Sequence, residues 1–345
     1  MMSVAIQHIY TDNSPGEFRA VAVASEGCPV RLFSERWSGA FERARFGMVK
    51  EARLRTFADQ LRGAFCEMPS GEEAFLRLKS RDGLTEGMSL RVRVLSEARG
   101  DKLARVTVSD QEPVVMTAFQ AWLIDLGQEQ DRCDTDNRDA VDAAFEEALA
   151  PSITLQKGGR IHIDRTRALT AIDIDTAGRL EKGSAAARAL SINLEAVREV
   201  ARQIGLRSLG GLFVLDCLSP LTAEANMRIL DAAKSAFAEF ALPDARIMKP
   251  SPLGLLEASV PWRYMPLKDE RDTNPAETEL LELLREVQRE ANARPVKFYN
   301  LSLCGSVWQA YLARKSETDQ ALQDEFGGRV SIVESAAQEN KVSPQ

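Results

Sequence analysis

The stretch SITLQKGGRIHIDRTRALTAIDIDTAGR, residues 152–179, decides how this chain is built. ITLQKGGRIHID and ALTAIDID alternate apolar and polar residues and read as strands. A long helix follows, with Ala186, Leu190, Leu194, Val197, Ala201 and Ile204 stepping by three or four along one face. It ends at Gly205, and GGLFVLD (210–216) is a continuous apolar run, as expected of a buried strand in a sheet covered on both faces. Strand, helix, strand at this spacing predicts an α/β core with helices packed on a sheet.

Working outward, a second helix is expected over Ala223–Phe240, then a strand in ARIMKPSPLGLLEAS and a proline-marked connector from Val260 to Pro275. This core is bounded at 152–265. Residues 266–345 read as a small C-terminal α/β domain: a charged helix over Glu277–Ala293, a strand in RPVKFYNLSL, a helix around Val307–Arg314, a strand in GRVSIVES and a disordered polar tail. Upstream, FGMVKEARLRTF, QLRGAFCEM, EEAFLRLK, SLRVRVLSEAR and KLARVTVS are five short alternating strands, separated by turns such as Ser70-Gly71, Asp82-Gly83 and Arg99-Gly100. Five such strands over 41–109 suit a small closed barrel of the OB type. FRAVAVAS and PVRLFSE, within 1–40, read as a hairpin turning at Glu26-Gly27, and 110–151 reads as an acidic linker carrying two short helices. The expected fold class is therefore α+β and α/β multidomain.

Composition bounds the function. The 345 residues are 44% hydrophobic and 28% charged, enough for buried cores in a soluble protein. No apolar run is long enough for a membrane segment, and the N-terminus lacks the pattern of a signal peptide, so a cytoplasmic location is expected. Five cysteines without a C-x-x-C pair argue against a disulfide framework and a thiolate zinc site, and two histidines supply few histidine ligands. The net charge of −7 hides an uneven distribution. Residues 41–108 hold 14 Lys/Arg against 10 Asp/Glu, and 151–220 hold 10 against 7, whereas 109–150 hold 2 against 11. The acidity sits in the connector, and the modules around it are mildly basic.

Asp173 and Asp216 each stand at the end of an apolar strand. Strands joined by one helix can bring two carboxylates into one coordination shell. Hard oxygen donors with room left for water and phosphate describe Mg²⁺, or Mn²⁺, rather than zinc. The competing reading is that each aspartate starts a loop or caps a helix.

The run from Ser152 to Arg179, then SINLEAVREVARQIGLRSLGGLFVLD and SPLGLLEAS, resembles the catalytic region of the ribonuclease E/G family. The resemblance implies a deoxyribonuclease-I-like core in which Asp173 and Asp216 hold a catalytic Mg²⁺, with Asp175 as a third ligand or water-orienting group. It also implies an endonuclease on single-stranded RNA leaving 5′-phosphate and 3′-hydroxyl ends. More weakly, 46–108 looks like the family's S-one-type OB domain, with Phe65 and Phe75 where that domain presents aromatics to bases and Lys102 at a basic contact. Both phenylalanines could equally fill a barrel core. Arg160, Arg165 and Arg167 are candidates for lining the phosphate path, or form a solvated hairpin face. Asn193 matches the family motif and either serves the site or anchors its helix to a neighbouring loop; His162 reads as structural. The C-terminal part looks like the family's terminal domain, which implies association into a homo-oligomer.

Departures from the family's pattern qualify these expectations. The usual asparagine two residues after the first aspartate is Asp175, a later acidic position is Ser219, and the basic segment reads Ser251-Pro252-Leu253-Gly254. The C-x-x-C zinc link is absent from the sequence. The short spacing between barrel and core leaves little room for the family's 5′-end sensor and most of its ribonuclease-H-like subdomain. The leading expectation is a compact endoribonuclease; the other is an RNA-binding or assembly protein of the same fold that has lost turnover.

Overall fold

Alternation within each strand decides which side chains enter a core, because successive residues point to opposite faces. A computed structural model describes residues 4–37, 43–81, 83–177, 179, 182–335 and 339–345. Asp82 of the expected Asp82-Gly83 turn and residues 41–42 at the head of the expected barrel segment lie outside them.

The chain opens with β1 (His8–Ser14), β2 (Glu17–Val23) and β3 (Pro29–Arg36). Next come β4 (Val49–Ala58), β5 (Gly63–Glu67), β6 (Glu73–Arg77), β7 (Ser89–Ser96) and β8 (Ala104–Val108). Helices α1 (Ala118–Asp125) and α2 (Arg138–Leu149) flank the two-residue strand β9 (Thr135–Asp136). The central part runs β10 (Ser152–Thr154), β11 (Arg160–Arg165), β12 (Thr170–Asp175), α3 (Ala185–Leu206) and β13 (Gly211–Asp216). It continues through α4 (Ala223–Glu239), β14 (Arg246–Ile247) and β15 (Leu255–Val260). Last are α5 (Leu267–Thr273), α6 (Pro275–Ala293), β16 (Tyr299–Leu303), α7 (Gly305–Ala313), α8 (Lys315–Phe326), β17 (Val330–Glu334) and β18 (Lys341–Pro344).

The fold is mixed α/β. Strands β4 to β8 close into a five-stranded barrel in the order β4-β5-β6-β8-β7, consistent with an OB-type domain. Its interior is filled by Ala52, Leu54, Ala64, Cys66, Leu76, Val92, Val94 and Val106. The central sheet has the order β10-β11-β12-β13-β15-β14, and β12 and β13 are its parallel pair. The C-terminal sheet, β17-β16-β18, packs with α6, α7 and α8 on a separate core.

Several expectations give way here. Residues 8–36 form three strands rather than a lone hairpin, and β1 pairs in parallel with β9 from the acidic segment. The two segments thus share one sheet, β3-β2-β1-β9, although they were read as separate. This sheet contributes Ile9, Ala20, Ala22 and Val30 to the same core as the central sheet. The sheet covered on both faces is this one: Ala20 and Ala22 enter the main core, while Val21 and Val23 pack against α2. By contrast β13, read as fully buried, buries Phe213 and Leu215 but leaves Leu212 56% exposed. The tail read as disordered supplies β18, which pairs antiparallel with β16. The buried stripe of α3 runs through Ala189, Ile192, Ala196, Val200 and Ile204, with Leu190 and Leu194 half-buried beside it. Among the described residues, no helix is long and apolar enough to cross a membrane.

A buried ion network ties the first sheet to α6. Glu17 meets Arg19 at 3.2 Å, Arg36 at 3.1 Å and Arg285, and Arg19 also reaches Asp142 at 3.3 Å. Removing one partner of such a network strands charges in a poorly solvated place. Glu17→Ala is expected to lower unfolding free energy by about 3–5 kcal/mol in urea denaturation. A loss below about 1 kcal/mol, the range of exposed pairs, would show that the network is not stabilising.

Candidate functional site

The central sheet has one face covered by helices and one open face, and strand alternation decides what each side chain meets. Ile172 and Ile174 of β12 and Phe213 and Leu215 of β13 are buried in the core with α3 and α4. Asp173 and Asp216 fall on the opposite face and are exposed. The parallel register pairs Ile172 with Leu215, so one residue further Asp173 stands beside Asp216. Neighbouring strands lie about 4.8 Å apart, which brings the two carboxylates to adjacent positions at the C-terminal ends of parallel strands. Neither has an ion-pair partner among the described residues.

Asp175 is the next residue of β12 on this face and is half-buried. Its Oδ1 accepts a hydrogen bond from the Ala177 amide at 2.8 Å, so that oxygen is engaged in shaping the turn. The hairpin between β10 and β11 presses against the same turn. A Cβ on Gly159, at φ +84°, would lie 2.9 Å from the Asp175 carbonyl oxygen, and only glycine fits there. Arg160 is in register with Asp175, and His162 with Asp173. His162, read as a structural residue, thus stands half-buried on the open face beside Asp173.

Glu257 was not singled out from sequence, although its place in the alternating LLEAS run held the signal. It is exposed on β15, in register with Val214, while Asp216 is in register with Leu255. Glu257 is therefore a further carboxylate on this face, displaced from Asp216 along the strands. Among the described residues, no three His, Cys, Asp or Glu side chains converge as a ready-made metal cluster. Cys217 points into the core, and burial pushes its thiol up to about 11.

Asn193 settles the position of the loop beyond Asp216. It is fully buried in α3; its Nδ2 donates to the Leu218 carbonyl at 3.0 Å, and its Oδ1 accepts from the Leu218 amide at 2.9 Å. The anchoring role is the one the geometry supports.

The barrel candidates lie apart from these carboxylates. Phe65 on β5 and Phe75 on β6 are cross-strand partners with ring centroids 5.7 Å apart, at 67°. Both are half-buried and outside the barrel's apolar interior. The Phe75 ring lies over Gly63, where an added Cβ would come within 2.4 Å of its Cζ. Arg105 on β8 is in register with Phe75 and exposed, and sequence reasoning passed over it. Lys102 is exposed in the turn before β8, 3.5 Å from Asp101. Arg165 ends β11 and makes a two-pronged bond to Asp269, at 2.5 and 3.1 Å, while Arg167 is exposed in the following turn. The three hairpin arginines therefore do not form one patch: Arg160 lies beside the carboxylates and Arg165 at the far end of the strand.

The barrel is docked on the central unit through Glu97. Its carboxylate accepts from the Phe46 amide at 3.1 Å and the Met265 amide at 3.0 Å, and its own amide donates to the Arg263 carbonyl at 2.8 Å.

Comparison with known proteins adds an independent line. The model of the Ribonuclease E/G family matches residues 38–260. Ribonuclease E of Haemophilus influenzae is 41% identical over 123 residues, 34% of this chain and 13% of that protein. Ribonuclease E of Escherichia coli is 46% identical over 76 residues, 22% of this chain and 7% of that protein. Ribonuclease G of Salmonella typhimurium is 31% identical over 117 residues, 34% of this chain and 24% of that protein. The match thus spans less than a quarter of the length of each of these three relatives.

Asn193→Leu keeps the volume but leaves the Leu218 amide and carbonyl without their partner. We expect a stability loss of about 1–3 kcal/mol and faster hydrogen exchange at the Leu218 amide. Unchanged exchange there would mean that Asn193 does not hold the loop.

Proposed function

The chain belongs to the ribonuclease E/G family, and on that premise we propose that it is a Mg²⁺-dependent endoribonuclease acting on single-stranded RNA, with Asp173 and Asp216 as the protein's metal ligands. The observation that carries this reading is the adjacency of two exposed carboxylates, without an ion-pair partner among the described residues, at the ends of parallel strands. Mg²⁺ is commonly held by one or two carboxylates, with waters and substrate phosphates completing its shell. Among the described residues no third such side chain converges on the pair, which fits that mode. When bound, the ion supplies Lewis-acid polarisation of the phosphate and an activated water.

The chain's own residues then have separate tasks. Asp173 and Asp216, set on rigid strands, would hold the ion and thereby the place where a phosphate can bind. Asp175 orients the turn through the Ala177 amide and keeps its second oxygen for a water. Arg160, in register with Asp175, offers a positive group on the same face. Phe65 and Phe75 stack bases of the single strand, and Lys102 meets its backbone. The products of this reading carry 5′-phosphate and 3′-hydroxyl ends, and the core belongs to the deoxyribonuclease-I-like class. We further propose that cleavage is indifferent to the 5′ phosphorylation state.

A second reading, an RNA-binding or assembly protein without turnover, is favoured by one observation: with an Asp175 oxygen bonded to Ala177, Asp173 and Asp216 are the two unengaged carboxylates at the ends of β12 and β13 among the described residues.

The two readings part on one assay: a 5′-labelled AU-rich single strand incubated with Mg²⁺ or with chelator. Asp173→Asn and Asp216→Asn are each expected to lower cleavage by more than about a hundredfold, beyond the loss typical of outer-shell metal partners, while RNA still binds. Cleavage that survives both substitutions would refute the site. Binding without cleavage by the unaltered protein would establish the second reading.

A further inference from the structure

The open face of the central sheet continues beyond the two carboxylates. Two residues back along the strands a second row crosses it: Asp164 of β11 is in register with Ala171, Ala171 with Val214, and Val214 with Glu257 of β15. This row lies about 7 Å along the strands from the row of Asp173 and Asp216. Alternation puts it on the same face, because the neighbours Ile163, Ile172, Leu215 and Ala258 enter the core.

The middle of the row is apolar and uncovered. Ala171 is exposed and Val214 half-buried, and Leu212, the next residue of β13 on this face, is 56% exposed. Met248, just after β14, donates its amide to the Glu257 carbonyl at 2.8 Å and is 63% exposed. A solvated sheet face ordinarily turns polar side chains to water. Neighbouring aliphatic groups left open on it instead form a flat floor, of the kind that marks a binding surface.

The rim of this floor is acidic. Asp164 and Glu257 are exposed, and neither side chain has an ion-pair or hydrogen-bond partner among the described residues. Arg246, in register with Ser259 two residues further along β15, is exposed and makes no ion pair with Glu257. A carboxylate at the edge of an apolar floor repels phosphate and accepts N–H donors. A nucleobase offers both features that such a place demands, a flat face to lie on aliphatic side chains and N–H groups on its edge. Guanine presents two adjacent donors, N1–H and N2–H, which one carboxylate accepts together, as it does from arginine. Adenine and cytosine present an amino group beside a ring-nitrogen acceptor. Uracil presents one N–H between two carbonyl oxygens, which a carboxylate repels. Of the two rim carboxylates, Glu257 is the one flanked by the larger apolar groups, Val214 and Met248.

We infer that Glu257 reads a guanine that lies on Ala171, Val214 and Leu212, at one fixed position beside the cleaved bond. This rests on the RNA-cleaving reading above. It adds a base preference that is set on the sheet carrying the aspartates and owes nothing to the barrel.

Cleavage of labelled AU-rich single strands, each carrying one guanine stepped through every position, tests it in Mg²⁺. The unaltered protein is expected to cut one bond about tenfold faster when guanine rather than uracil occupies the fixed position, the low end of what a two-bond base contact discriminates. Inosine, which lacks the N2 amino group, falls towards uracil. Glu257→Gln brings the guanine-to-uracil ratio within about twofold, and Leu212→Ala, which shrinks the floor, lowers it partway. A general structural loss slows both substrates alike and leaves the ratio where it was, so the ratio reports the base contact alone. Equal cutting of guanine and uracil strands by the unaltered protein, or a ratio that survives Glu257→Gln, overturns the assignment and leaves the functional reading standing. A ratio that collapses with Asp164→Asn and not with Glu257→Gln overturns it as well. If the unaltered protein cuts no strand, both fall.

Discussion

The rest of the site depends on the register between β12 and β13. Because Ile172 pairs with Leu215, their apolar side chains enter the core together and the flanking aspartates leave it together. A slip of one residue would bury one carboxylate among α3 and α4, where an unpaired charge is costly. The helices that stabilise the sheet therefore also specify which face stays open. The same constraint aligns His162, Arg160 and Asp175 along that face, since each is tied to its neighbour by the antiparallel pairing of β11.

Charge is used in two distinct ways in this molecule. In the first sheet, three carboxylates, Glu17, Asp12 and Asp142, are shared among five arginines, Arg19, Arg36, Arg138, Arg285 and Arg289, and the network joins β1 and β2 to α2 and α6. Arg202 likewise binds Glu147 and Glu199 while donating to the Pro29 carbonyl. These arginines are consumed by structure. At the seam between barrel and sheet, Arg99 and Arg105 have no carboxylate within ion-pair distance among the described residues, and Asp269 and Asp101 act on Arg99 from further away.

The strands of the barrel were legible because their alternation is strict and their turns are marked by glycine. The helices of the central part were legible from their period. What escaped was the strand HIYTDNS, whose buried residues include Thr11, Asp12 and Ser14. A strand that buries polar groups has no apolar pattern to read; it is stabilised by Arg19, Arg138 and the Cys133–Asp136 region, which are distant in sequence. The two-residue β9 is shorter than any periodicity can detect. Of the candidate site residues, Asp173, Asp216 and Asp175 fall together on one face, whereas Arg160 and Arg165 separate because they stand at opposite ends of the six-residue strand β11.

The sequence by itself determined the alternating strands, the α3 helix between β12 and β13, the absence of paired cysteine ligands, and the likeness of residues 152–259 to one family. These are local properties, fixed by the period and chemistry of neighbouring residues. Only the tertiary structure decided that β13 is covered on one side, that Phe65 and Phe75 face away from the barrel interior, and that Asn193 clamps Leu218. It alone brought Arg99 and Arg165 to one indole ring. Each of these depends on which distant element occupies the space beside a residue, and no run of neighbouring residues encodes that.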